Sequence, residues 1–146
     1  MKIGIACDHH GVKLKSKIIK YLNSKGYEVI NFGTDTAESV DYTDYAFKIG
    51  NAIQNNEINY GFLICGTGIG MCMAANRMKN VRCARVFNKY EARMTRLHNN
   101  ANVLAFSSKM CFFKIKKIID IFLETSYSDL ERHNIRLKKL EELKWI

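Results

Sequence analysis

Residues 60–70 read YGFLICGTGIG, and this stretch decides the fold. Tyr60 to Cys65 is a short apolar run of strand type, Gly66, Gly68 and Gly70 follow at every second position, and a helical segment carries on to Met78. A strand that opens through glycines into a helix exposes backbone N–H groups, and the helix dipole adds positive potential, so the turn favours anions. The same field favours the thiolate form of Cys65, which closes the strand beside these donors. Familiar loops of this general kind do not fit. A dinucleotide fingerprint needs a glycine where Met71 stands, a P-loop needs Lys-Ser/Thr after Gly70 where Met71-Cys72 stand, and a cysteine-phosphatase loop needs an arginine where Met71 stands again.

Outward from this stretch, apolar strands alternate with amphipathic helices. Strands are expected at Lys2 to Cys7, Glu28 to Phe32, Tyr60 to Cys65, Arg82 to Val86 and Asn102 to Phe106; helices at about 11–25, 42–56, 69–78, 88–98, 109–123 and 129–144. Such alternation predicts an α/β fold: a parallel sheet covered on both faces, with right-handed crossovers and ligands at the carboxyl ends of the strands. Strand one ends in Cys7-Asp8-His9-His10-Gly11, strand three in Cys65, and helix four runs into His98-Asn99-Asn100 before strand five. A single Asp or His beside a turn is ordinarily a cap. Read as converging on one rim of the sheet, Asp8, Cys65 and His98 become functional candidates. Arg132 and Arg136, spaced i,i+4, can grip a phosphate together or simply face solvent. Cys7, Cys72, Cys83 and Cys111 read as core fillers.

Composition points to one compact soluble domain over residues 1–146, with 47% hydrophobic and 25% charged residues. No apolar run approaches a membrane span and MKIGIACDHH is no signal peptide, so neither membrane nor anchor is expected. Five cysteines without a C-x-x-C pair suit a reduced, cytoplasmic protein without a zinc knuckle. The net charge of +9 is concentrated in residues 77–108, where seven basic side chains face Glu91 alone. Without interleaved aromatics or a recognised motif, this stretch reads as a solvated surface before a nucleic-acid face. An anionic small substrate fits the glycine loop better.

Several blocks together resemble ribose-5-phosphate isomerase type B: Cys7-Asp8-His9, residues 28–34 (EVINFGT), 38–42 (ESVDY), 64–70 (ICGTGIG), 74–77 (AANR), 96–99 (RLHN), 102–106 (NVLAF), and Arg132-His133 with Arg136. The resemblance runs nearly end to end. It implies a Rossmann-like three-layer sandwich with a five-stranded parallel sheet of order 2-1-3-4-5, a C-terminal helix reaching a partner subunit, and a homodimer, often paired into a tetramer, with shared active sites. The implied reaction interconverts ribose 5-phosphate and ribulose 5-phosphate with no cofactor and no metal. Cys65 would be the base, the N–H groups of Gly66, Thr67, Gly68, Ile69 and Gly70 would hold the enediolate oxygen, and His98 would open the sugar ring. Asp8 would bind hydroxyls near the reacting carbons and Thr67 the substrate or the proton in transit. His9, Arg132 and Arg136 would hold the phosphate with His133 near it, and Asn99 and Tyr42 would contact hydroxyls.

The chain departs from the usual family pattern at Leu130-Glu131, where Gly-Gly is common, at Asn100 and Thr43, and at Lys109, where an arginine often assists the phosphate. Glu131 and Lys109 bear on phosphate geometry alone. Galactose-6-phosphate isomerase subunits share the loop but generally lack the His98-Asn99 pair, while allose 6-phosphate would need only a slightly longer pocket. Outside the isomerases, a domain binding a phosphorylated ligand or RNA would not need Cys65, and a thiol hydrolase would need an acyl pocket that the sequence does not display.

Overall fold

The structure, a computed structural model, describes residues 1–142. Its elements alternate strand and helix as far as α5, after which a second helix follows: β1 (Lys2–Cys7), α1 (Val12–Ser24), β2 (Glu28–Asn31), α2 (Tyr42–Gln54), β3 (Tyr60–Cys65), α3 (Ile69–Ala75), β4 (Cys83–Arg85), α4 (Lys89–Asn99), β5 (Val103–Ser107), α5 (Phe112–Glu124) and α6 (Glu131–Glu142). The expected last helix ran to residue 144, and 143–144 lie outside the described residues. All pairings are parallel, in one five-stranded sheet. Alternate residues of the central strands face two cores. Ile3, Ile5, Phe62, Ile64, Leu104 and Phe106 pack with α1 and α5, whereas Ala6, Leu63, Val103 and Ala105 pack with α2 and α3. No helix among the described residues is long and apolar enough to cross a membrane.

The strand order is β2-β1-β3-β5-β4, which corrects the expected order 2-1-3-4-5 at one edge. Burial explains the exchange. Val103 to Phe106 of β5 are fully buried and apolar, so this strand needs a neighbour on each side. It lies between β3, with Gly61 opposite Val103, and β4, with Cys83 opposite Val103. Three-residue β4 ends in a charged Arg85 and suits an edge, which short, charged strands protect from unwanted pairing.

Helix ends also moved for identifiable reasons. The expected helix 69–78 stops at Ala75 because the Asn76 side chain bonds to β4, its Nδ2 donating to the Cys83 carbonyl and its Oδ1 accepting from the Cys83 N–H, both at 2.8 Å. Helix α4 starts after Asn88, whose side chain accepts from Glu91 N–H at 2.9 Å. Its other end turns on Asn100 in the left-handed region, at φ 45°.

Candidate functional site

At the carboxyl rim, β3 delivers Cys65 into the glycine loop. The Gly68 N–H donates to Cys65 Sγ at 3.1 Å, and the sulfur is buried. Gly68 sits at φ +76°, and a Cβ there would lie 2.8 Å from the Phe106 carbonyl carbon, so only glycine lets the loop cross β5 this closely. A Cβ on Gly70 would meet the Tyr42 ring at 2.8 Å, which sets Tyr42 directly against the loop. Beyond it, the first turn of α3 offers Gly70 and Met71 N–H groups that have no intrahelical acceptor.

Asp8, at the end of β1, lies on the same rim and is buried. Its Oδ1 accepts from the His10 N–H at 2.9 Å, and its Oδ2 lies 3.3 Å from His10 Nδ1. His9 Nδ1 accepts from the Val40 N–H at 3.3 Å, so in a neutral imidazole Nε2 carries the proton and presents a donor. Asp8, His9 and His10 do gather ligand-type atoms within 4.8 Å of one another. Their protein hydrogen bonds occupy His9 Nδ1 and Asp8, and what remains suits a sugar hydroxyl or phosphate oxygen better than a cation. Thr67 Oγ1 accepts from the Ile69 N–H at 3.2 Å, and Lys109 is exposed at the mouth of the following turn, its N–H donating to Ser107 Oγ at 3.2 Å.

Residues that the sequence reading passed over hold this loop in shape. Arg85 Nε donates to the Thr67 carbonyl at 2.7 Å, while its guanidinium stacks 3.9 Å above the Phe87 ring. Ser107 Oγ donates to the Gly66 carbonyl at 2.8 Å. Both close a strand, so the strand-end rule that selected Cys65 would have selected them too. With the 66 and 67 carbonyls turned to these partners, the Gly68 N–H is held on the thiol and the Ile69 N–H on Thr67 Oγ1.

The second group of candidates lies elsewhere. His98 and Asn99 end α4 just before β5 begins, at the amino rim of a parallel sheet, one strand length of about 15–20 Å from Cys65. This corrects the expected convergence of Asp8, Cys65 and His98 on one rim: a helix that returns to the next strand brings its C-terminus to the starting edge. The His98 and His133 rings stand 4.6 Å apart, Ser128 Oγ and His133 Nδ1 are 2.8 Å apart, and Arg132 Nε donates to His133 Nε2 at 3.4 Å. Burial, His98, Arg132 and Arg136 all hold the His133 pKa below its ordinary value of 6.5. The result is a cluster rich in positive charge and imidazole. Within one chain it stands apart from the thiol.

The basic stretch divides: Arg77, Lys79, Lys89 and Arg93 are exposed, as its reading as a solvated face expects, whereas Arg82, Arg85 and Arg96 serve internal structure. Arg82 donates to the Asn100 carbonyl and pairs with Glu141, and buried Arg96 donates to Asn100 Oδ1, Ala101 and Thr125 carbonyls. The apolar residues of α5 are likewise mostly core: Ile115, Ile118, Ile119 and Phe122 are fully buried, and Phe113 stands out at 70% exposure. Exposed apolar side chains occur instead around the thiol rim, on Tyr42, Ile69, Met73, Phe87 and Tyr90. A cavity of about 970 Å³ runs beside β4 and is lined by Arg82, Cys83, Asn99 and Glu141 among others; Cys65 is not part of it.

A doubly covered parallel sheet with a thiol in an amide-lined glycine turn defines an α/β enzyme of the sugar-phosphate aldose–ketose isomerase class, once relatives are considered. The chain belongs to the Ribose/Galactose Isomerase family, whose model matches residues 3–140. It is 39% identical over 140 residues to ribose-5-phosphate isomerase B of Escherichia coli K12, covering 95% of this chain and 93% of that protein. Ribose-5-phosphate isomerase B of Clostridium thermocellum superposes with a TM-score of 0.94 at 43% identity, over 97% of this chain and 96% of that one. The enzyme of Mycoplasma genitalium, solved with ribulose-5-phosphate bound, gives 0.90 at 38% identity, over 96% and 93% of the two chains.

Proposed function

We propose that this protein interconverts D-ribose 5-phosphate and D-ribulose 5-phosphate through an enediolate, with Cys65 as the base. The observation that carries the reading is the Gly68 N–H on Cys65 Sγ at 3.1 Å, at the mouth of an amide-lined turn. A thiolate there removes the C2 proton beside the aldehyde and returns it to C1, while loop amides and the α3 N-terminus stabilise negative charge on the carbonyl oxygen. Asp8 binds the hydroxyls next to the reacting carbons, with Thr67, Tyr42 and Asn99 as further hydroxyl contacts. His98 opens the furanose, and His9, Lys109, Arg132 and Arg136 hold the phosphate with His133 beside them.

One chain separates Cys65 from His98 by the length of the sheet, so the reading requires a homodimer in which the amino-rim cluster of one subunit faces the thiol rim of its partner, with α6 reaching across. The exposed Ile69, Met73, Phe87 and Tyr90 around that rim give such a contact an apolar surface. The proposed setting is the cytoplasm and the pentose phosphate pathway. Purified protein incubated with ribose 5-phosphate in EDTA should form the ketose. Turnover of allose 6-phosphate or galactose 6-phosphate, with none of the pentose, would move the substrate within the family, and no turnover of any of them would leave a phosphosugar-binding protein.

A further inference from the structure

Two of the cysteines that read as core fillers are placed for chemistry the isomerisation does not use. Cys72 lies on α3, half-buried, and Cys83 opens β4, buried. Cys72 Sγ donates to the Cys83 carbonyl oxygen at 3.4 Å, and the two side chains interact with each other. Asn76 Nδ2, already anchored to that carbonyl at 2.8 Å, also reaches Cys72 Sγ at 3.6 Å. The hydrogen bond from Cys83, helped against burial by the Arg85 N–H and guanidinium, brings the Cys72 thiol down to about 7. Burial pushes the Cys83 thiol far the other way. The pair therefore consists of one sulfur that is substantially thiolate at neutral pH and a protonated neighbour within reach of it. Cys83 lines the cavity beside β4, and half-buried Cys72 is itself partly open to solvent.

We propose that Cys72 and Cys83 form an oxidation site for hydroperoxides, closing to a disulfide that ties α3 to β4. The Cys72 thiolate attacks the terminal peroxide oxygen; an S–O bond forms, the O–O bond breaks, and the alkoxide or hydroxide leaves as alcohol or water after protonation. The Cys83 sulfur then attacks the Cys72 sulfenic sulfur, the S–S bond forms, and hydroxide departs with the Cys83 proton as water. Two thiols are oxidised and one hydroperoxide is reduced. The bridge would sit one turn from the glycine loop, where the Cys72 N–H donates to the Gly68 carbonyl at 3.2 Å.

The intact protein is treated with hydrogen peroxide near neutral pH, remaining thiols are blocked, and digests are mapped by mass spectrometry. The expected product is a Cys72–Cys83 cross-linked peptide two hydrogens lighter than its parts, with Cys72 consumed roughly tenfold faster than exposed Cys111. In Cys83→Ala the reaction should stop at a Cys72 sulfenic acid that dimedone captures. If Cys65 or Cys111 is oxidised while the wild-type pair stays reduced, or if Cys72 pairs with another cysteine, the proposal is overturned. The wild-type map decides the matter even if the variant fails to fold.

Discussion

Cys65 and Gly68 act as one unit: the sulfur needs a donor, and the donor needs a backbone only glycine adopts. Replacing Cys65 by Ser keeps the size but substitutes a hydroxyl too weakly acidic to supply a base at neutral pH. We expect kcat to fall by about 100 to 10,000-fold with little change in KM, as for removal of a positioned acid or base. A folded Cys65→Ser protein with near wild-type kcat would move the base to a carboxylate, Asp8 first. Gly68→Ala strains a φ of +76° and drives a methyl to 2.8 Å from the Phe106 backbone, whereas a Cβ on Gly66 meets only the His10 ring, at 3.8 Å or more. Gly68→Ala should therefore lose about 1–3 kcal/mol of stability and Gly66→Ala far less. Equal denaturation midpoints for the two variants would contradict this. At this scale the sequence made the placement of the thiol legible, because an apolar run ending in Cys65 and followed by alternating glycines marks a strand end opening into a tight turn. Arg85 and Ser107 were not legible. Their roles are bonds to carbonyls of residues far along the chain, and no local pattern encodes those.

Among the elements, α6 carries a cluster whose chemistry depends on pH. His133 is buried beside His98, Arg132 and Arg136, so protonating it in the folded state adds a cation to cations. With the folded pKa below the unfolded value of 6.5, the unfolded chain takes the proton first as pH falls. The His133 contribution is therefore fully present above that pH and is lost as pH drops toward the lowered folded value. Thermal melts from pH 7.5 to pH 5 should show wild-type protein losing stability more steeply than His133→Asn. Parallel curves would mean that His133 does not titrate differently on unfolding. A bound phosphate should lessen the slope, since an anion offsets the repulsion that disfavours the proton. Element types and their sequence order followed from hydrophobic periodicity, but their ends and neighbours did not. Helix α3 stops early through an Asn76 side chain bonded to β4, and β5 displaces β4 from the interior because it is apolar on both faces. These are tertiary effects, invisible to a window moved along the chain.

For the whole molecule, the decisive fact is that a parallel sheet has two rims and the candidate residues divide between them. Cys65, Asp8, His9 and the loop occupy the carboxyl rim; His98, Asn99, Arg132, His133 and Arg136 occupy the amino rim. The sequence reading put His98 with Cys65 because both adjoin strands, overlooking that one ends a strand and the other precedes one. If the proposed sites are shared, each contains Cys65 of one subunit and His98 of the other, and this can be tested by mixing two inactive variants. Cys65→Ser and His98→Asn homodimers each carry two defective sites. After subunit exchange, a mixed dimer has one site with both defects and one with neither. An equal mixture places half of the chains in mixed dimers, so activity should recover to roughly a quarter of the wild-type value. Each variant alone should stay low at every concentration. No recovery after exchange, with mixed dimers verified by native mass spectrometry, would mean that each chain builds its own site, and His98 would then have no route to the sugar held at Cys65.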